Sequence, residues 1–107
     1  MNSSDHITTV LCFSGLDPTG GAGIQADIEA VAAQGSHAAA VVTALTVQDT
    51  RHAIQFDTVA PDIIIQQARA VLEDMPVTAI KIGMLGDVDV TQAIPVSYTH
   101  LTLPTNR

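Results

Sequence analysis

Four glycines fall within the nine residues Gly15 to Gly23 (GLDPTGGAG), and a loop of that composition can bring backbone close to a ligand. Where a helix follows such a loop, its first N–H groups are unpaired and favour an anionic group. Two phosphate-binding patterns test this stretch. A P-loop ends in Gly-Lys-Ser/Thr, whereas this chain has Gly23-Ile24-Gln25, so that pattern is excluded. The dinucleotide fingerprint G-x-G-x-x-G/A is formally present as Gly21 to Ala26, and Asp49 lies at a distance suited to a ribose carboxylate. Its first glycine should come directly off a strand, however, and the six residues Gly15 to Gly20 intervene. Asp17, which precedes Pro18, has two readings: a turn initiator, or a carboxylate at the end of a central strand, where open α/β sheets place their ligands.

Two further segments carry polar groups toward the same place. Gln48, in Thr46-Val47-Gln48-Asp49-Thr50, offers an acceptor and two donors on one planar group, which suits a heteroaromatic amine such as an aminopyrimidine; a solvated loop glutamine is the plainer reading. Lys81-Ile82-Gly83-Met84-Leu85-Gly86 places a thioether among glycines, where Met84 is either core packing or a wall for a flat ring. Lys81 within a strand needs a carboxylate or carbonyl partner. None of His6, His37, His52 and His100 stands at metal-ligand spacing, and the lone Cys12 cannot complete a zinc site. Cys12 reads as inert packing, and Ser14 lacks the flanks of a nucleophile elbow.

These residues must be positioned by elements that the pattern outlines. Ile7 to Ser14 is β-branched and apolar, a buried strand ending at the glycine loop. Ile24 to Gln34 is a helix with Ile24, Ile28, Val31 and Ala32 on one face, Asp27 and Glu29 turned away, and Gly35 as its C-cap. Ala38 to Leu45 is a second buried strand, Thr46 to Ala53 a loop, and Ile54 to Val59 a minor strand. Pro61 opens a helix running to about Met75, with Ile64, Ala68, Val71, Leu72 and Met75 on one face. Val77 to Ile82 is a third strand, and Asp87 to Ile94 begins another helix. The order β-α-β-α-β predicts an α/β protein with a parallel sheet whose strand ends gather the three loops at one edge.

The composition sets limits on function. Eleven acidic against four basic side chains, a net charge of −7, exclude a nucleic-acid binder held by phosphate neutralisation and a polybasic membrane face. An apolar share of 47% with 14% charged residues excludes a disordered tail. One cysteine rules out a disulfide framework, and no apolar run approaches the length of a membrane span, so a cytoplasmic protein is expected. From Pro95 the segment PVSYTHLTLPTNR loses helical periodicity and resembles translated vector or adapter read-through. The expected organisation is therefore a native part, residues 1–94, and a non-native tail, residues 95–107.

Taken together, Ser14 to Asp27 (SGLDPTGGAGIQAD), Thr43 to Thr50 (TALTVQDT) and Lys81 to Leu85 (KIGML) resemble the hydroxymethylpyrimidine/phosphomethylpyrimidine kinases of thiamine biosynthesis, over essentially all of residues 7–94. The resemblance implies a ribokinase-like, three-layer α/β fold with a mainly parallel central sheet, of which the N-terminal part is present. It implies ATP and Mg²⁺ as cofactors, a small-molecule pyrimidine as partner, and a homodimer as the state open to the full-length enzymes. By the same resemblance Gln48 reads the pyrimidine ring, Gly15 and Asp17 line the pocket, and Met84 packs on the ring. The family has Ala before that glycine and Ser or Thr after it, where this chain has Ser14 and Leu16, which bears on pocket shape. The family's anion hole, catalytic base and most of its ATP site belong to a second half whose motifs this chain does not contain. Phosphoryl transfer rests on positioning and charge stabilisation, so no catalytic residue is assigned and the chain alone is expected to be inactive. The alternatives are a non-catalytic pyrimidine-binding fragment and an NAD-binding domain.

Overall fold

A computed structural model describes residues 7–83 of the 107. The elements are β1 (Thr9–Leu16), α1 (Gly23–Ala33), β2 (His37–Gln48), β3 (Ala53–Thr58), α2 (Pro61–Asp74) and β4 (Val77–Ile82). The four strands form one sheet in the order β3-β2-β1-β4. β1 is central and pairs in parallel with both β2 and β4, while β3 closes an antiparallel hairpin on the outside of β2. The sheet is thus mixed but mainly parallel, in agreement with the expected fold class.

Alternation along the strands allots residues to two faces. Leu11 and Phe13 of β1, Ala39 and Val41 of β2, and Val77 of β4 pack with Ile64, Ala68 and Leu72 of α2 into the apolar core. Cys12 and Ser14 face the other side, with α1 over them. Burial pushes the Cys12 thiol upward, with the nearby Asp27 charge adding to the effect, as suits inert packing. Pro61 stands at the first turn of α2, where its missing N–H costs nothing, and the predicted apolar face holds, with Val71 and Met75 partly buried at its margin. α1 ends at Gly35 (φ +84°), where the N–H groups of Gly35 and Ser36 return to the carbonyls of Ala32 and Val31.

The structure departs from expectation in three places. β1 starts two residues later than Ile7 and continues through Leu16, so Gly15 belongs to the strand. β2 extends through Thr46-Val47-Gln48, and the loop shrinks to Asp49–His52, because β3 pairs with these polar residues across a hairpin. Asp49 holds that turn: its Oδ1 accepts from the N–H groups of Arg51 (2.8 Å) and His52 (2.7 Å). Those bonds, Arg51 first, hold the Asp49 carboxyl below the usual carboxylate range. α1 is rotated from its predicted phase: Asp27 is buried and Ile28 is exposed. The reason is Lys81 on β4, whose Nζ pairs with Asp27 Oδ1 and draws that side chain toward the sheet. Lys81 itself is half exposed, with the carboxylate partner its position demanded. The predicted helix over Asp87 to Ile94, residue Met84 and the segment 95–107 lie outside the described residues.

Register breaks fall at two sites of interest. The β1–β2 ladder shifts between Ser14 and Gly15, and the β2–β3 ladder shifts between Val47 and Gln48. Such irregularities bend a strand and re-aim the side chains that follow.

Candidate functional site

Because β1, β2 and β4 are parallel, their C-terminal ends meet at one edge, and a cleft of about 310 Å³ opens there. Ser14, Gly15 and Asp17 line it from β1 and the loop beyond, and Ala22, Gly23 and Asp27 from the start of α1. Thr46 and Gln48 close it from β2, and Gly83 from the end of β4. Three of the four predicted site residues, Gly15, Asp17 and Gln48, therefore come together; the fourth, Met84, is outside the described residues. A larger hollow of about 630 Å³ lies along the outer hairpin and shares Thr46 and Gln48 with the cleft. It is flanked by exposed Ile54 and Phe56 and receives nothing from the glycine loop, so the chemistry is sought in the smaller cleft.

The glycine loop is held by Asp17. Gly20 N–H donates to the Asp17 carbonyl (3.0 Å), closing a turn with Pro18 at its second position. The carboxylate then organises the rest. Its Oδ1 accepts from the N–H and the hydroxyl of Thr19, both at 2.8 Å, and its Oδ2 accepts from Ala22 N–H at 3.0 Å. These bonds, led by the Thr19 N–H, hold Asp17 below the usual carboxylate range. Its turn role is thus filled while it also forms part of the cleft wall. Gly23 must be glycine: its φ is +68°, and a Cβ there would collide with the Gly15 carbonyl oxygen, because the loop returns to bridge Leu16.

Gln48 is anchored through a short relay. Its Nε2 donates to Thr46 Oγ1 (2.7 Å), and Thr46 Oγ1 donates to the Leu16 carbonyl (2.7 Å), tying β2 to the end of β1. The Gln48 Oε1 atom has no protein partner among the described residues, which leaves an oriented acceptor at the cleft. Gly83 closes the third side with its N–H on the Phe13 carbonyl (2.7 Å). The sequence reading missed Thr46 as an anchor, and it placed Asp27 on the outer face. The i, i+3 spacing of Ile24 and Asp27, read together with a strand cation at Lys81, carried the signal for Asp27. The dinucleotide reading gains no support, since Asp49 does not line the cleft and its Oδ1 holds its own hairpin turn.

A mainly parallel sheet with a glycine loop and an oriented amide at its C-terminal edge is an α/β fold that binds its ligand at the strand ends, and its likeness to solved vitamin kinases makes it ribokinase-like. The phosphomethylpyrimidine kinase of Clostridium difficile 630 superposes with a TM-score of 0.82 at 33% identity, over 92% of this chain and 44% of that one. The Bacillus subtilis pyridoxal kinase superposes with a TM-score of 0.78 at 26% identity, over 88% of this chain and 37% of that one. In sequence, the Escherichia coli K12 hydroxymethylpyrimidine/phosphomethylpyrimidine kinase is 39% identical over 84 residues, which is 78% of this chain and 32% of that enzyme. The profile of the phosphomethylpyrimidine kinase family matches residues 17–105. The chain belongs to that family. It spans about a third of the length of the E. coli relative.

Among the described residues no helix is long and apolar enough to cross a membrane, and no group of three or more His, Cys, Asp and Glu side chains is placed to hold a metal ion.

Proposed function

We propose that this cleft binds the ring of a hydroxymethylpyrimidine, and that the whole protein phosphorylates it and then its monophosphate at the expense of ATP, in the cytoplasm, within thiamine biosynthesis. The observation that carries the reading is the Gln48 amide, fixed through Thr46 with its Oε1 free at the strand ends. An acceptor and a spare N–H in one plane match the edge of an aminopyrimidine. Family membership supports the same substrate class. In this reading Gly15 lets the ring lie close to backbone, Asp17 keeps the loop closed over it, and Met84 packs on its face.

ATP would supply the phosphoryl group and Mg²⁺ would screen its charge. The described residues do not fit the nucleotide: the cleft carries the carboxylates of Asp17 and Asp27, and Lys81 is engaged by Asp27. Carboxylates suit Mg²⁺, but among the described residues no three or more side chains of His, Cys, Asp and Glu gather to hold it. No step through the nucleotide is therefore derived from this chain. Its share of the work is to bind and orient the ring, which in phosphoryl transfer is a large part of catalysis. The second reading, ring binding without catalysis by the chain itself, follows from the same acidic cleft.

Titration calorimetry on the 107-residue chain with hydroxymethylpyrimidine and, separately, with ATP tests both. Saturable ring binding without ATP binding is expected, and a coupled assay should give no ring-dependent ATP turnover. A chain that ignores the ring would refute the substrate class, and turnover would refute the restriction to binding.

A further inference from the structure

The cleft contains a polar side chain that the reading above does not use. Ser14 is only 3% exposed and lines the cleft. Its hydroxyl has no hydrogen-bond partner among the described residues. Among the described residues the fully enclosed side-chain polar atoms without a partner are Asp27 Oδ2 and Arg69 Nε; Ser14 Oγ, by contrast, remains open to the cleft. It has room because the facing residue lacks a side chain: a Cβ at position 83 would stand 2.9 Å from Ser14 Oγ. The corner is backed by Asp27, whose side chain is 9% exposed and whose Oδ1 holds Lys81.

Open to the cleft, this hydroxyl is left to water in the free chain, and an alanine of nearly the same size could replace it without loss of a protein bond. A ligand that fills the cleft and displaces that water must supply the bond in its place. We infer that Ser14 is a specificity-determining contact of this cleft, its hydroxyl hydrogen-bonding a polar atom of the pyrimidine ligand across from Gln48. The inference rests on the proposed binding of a pyrimidine and adds a second point of polar recognition to it. With a polar reader on two walls, the ring has one in-plane orientation, and an analogue that lacks the facing atom leaves Ser14 unsatisfied.

The test is Ser14→Ala in the 107-residue chain, titrated with hydroxymethylpyrimidine and with the analogue carrying methyl in place of hydroxymethyl. Removal of a partnerless hydroxyl should leave the melting temperature equal or higher, which separates binding from folding. Ser14→Ala should weaken hydroxymethylpyrimidine about tenfold. Loss of that penalty with the methyl analogue would identify the ligand hydroxyl as the partner, and an equal penalty with both would identify a ring atom. Either result supports the contact. Unchanged affinity of Ser14→Ala for both ligands, while the parent chain binds them, would overturn the inference and spare the proposed function. Failure of the parent chain to bind either ring overturns both. Gly83→Ala, which crowds the hydroxyl without removing it, should also weaken binding in the parent chain and have little effect in the Ser14→Ala background.

Discussion

The two faces of the sheet are built from the same strands and do different work. Toward α2, β1 contributes Leu11 and Phe13, which pack with Ala39, Val41, Ile64, Ala68, Leu72 and Val77. Toward α1, the neighbouring residues Cys12 and Ser14 of the same strand lie near an ion pair, a buried carboxylate and a cleft. One strand thus builds the core with Leu11 and Phe13 and lines the cleft with Ser14 and Gly15 at its end. The α2 face is mainly apolar because it has chiefly to exclude water, with Thr9 and Thr43 as its buried hydroxyl residues. The α1 face accepts buried polar groups, whose desolvation is costly, at the place where a ligand is read.

This contrast can be broken from either side. The largest effect is expected on the apolar face: Ile64→Ala, at a fully buried position, should cost about 2–5 kcal/mol in urea denaturation. Ring affinity, measured well below the melting temperature, should stay the same. A large loss of affinity in a folded Ile64→Ala protein would show that the two faces are coupled. Gly23→Ala comes next, at about 1–3 kcal/mol from backbone strain, with the collision on the Gly15 carbonyl added. Here stability and ring binding should fall together, because the loop forms both fold and cleft. Gln48→Ala should do the reverse of Ile64→Ala: about tenfold weaker ring binding with a melting temperature nearly unchanged. If Gln48→Ala binds as tightly as the parent, the amide is an ordinary loop group.

The smallest effect concerns acid. Asp17 has its pKa lowered in the fold, so its contribution is present above the ordinary carboxylate value and is lost as the pH falls through the folded value. Melting temperature followed from pH 6 downward should therefore drop on the acid side, and Asp17→Asn should flatten that limb. An unaltered limb would mean that the Thr19 and Ala22 bonds to the carboxylate contribute nothing to stability.

Much of the fold was legible because its elements obey simple periods. α2 carries its start signal in Pro61 and its buried face in Ile64, Ala68 and Leu72, and β4 was bounded correctly by Val77 and Ile82. The phase of α1 was not legible from apolar spacing, since the decisive term is the charge on Lys81, 54 residues away in the chain. The length of β2 was hidden because Thr46 and Gln48 look like loop residues until β3 supplies their hydrogen-bond partners. At the site, Gly15, Asp17 and Gln48 could be gathered from topology alone. Thr46 and Ser14 could not, because a hydroxyl declares its role only when its neighbours are known: one ties two strands, and the other faces an open cleft.

The register breaks at Ser14/Gly15 and Val47/Gln48 bear on how such a site could be moved or copied. Up to those points the strands follow strict alternation, so a side chain's face can be counted from the strand's first residue. Beyond them the count no longer applies: Gly15 and Gln48 lie just past such a break, and Ser14 just before one. Grafting Gln48 and Ser14 onto another regular sheet would therefore transfer the chemistry without the aim. The irregularity itself is part of the binding site, although it adds no atom that a ligand touches.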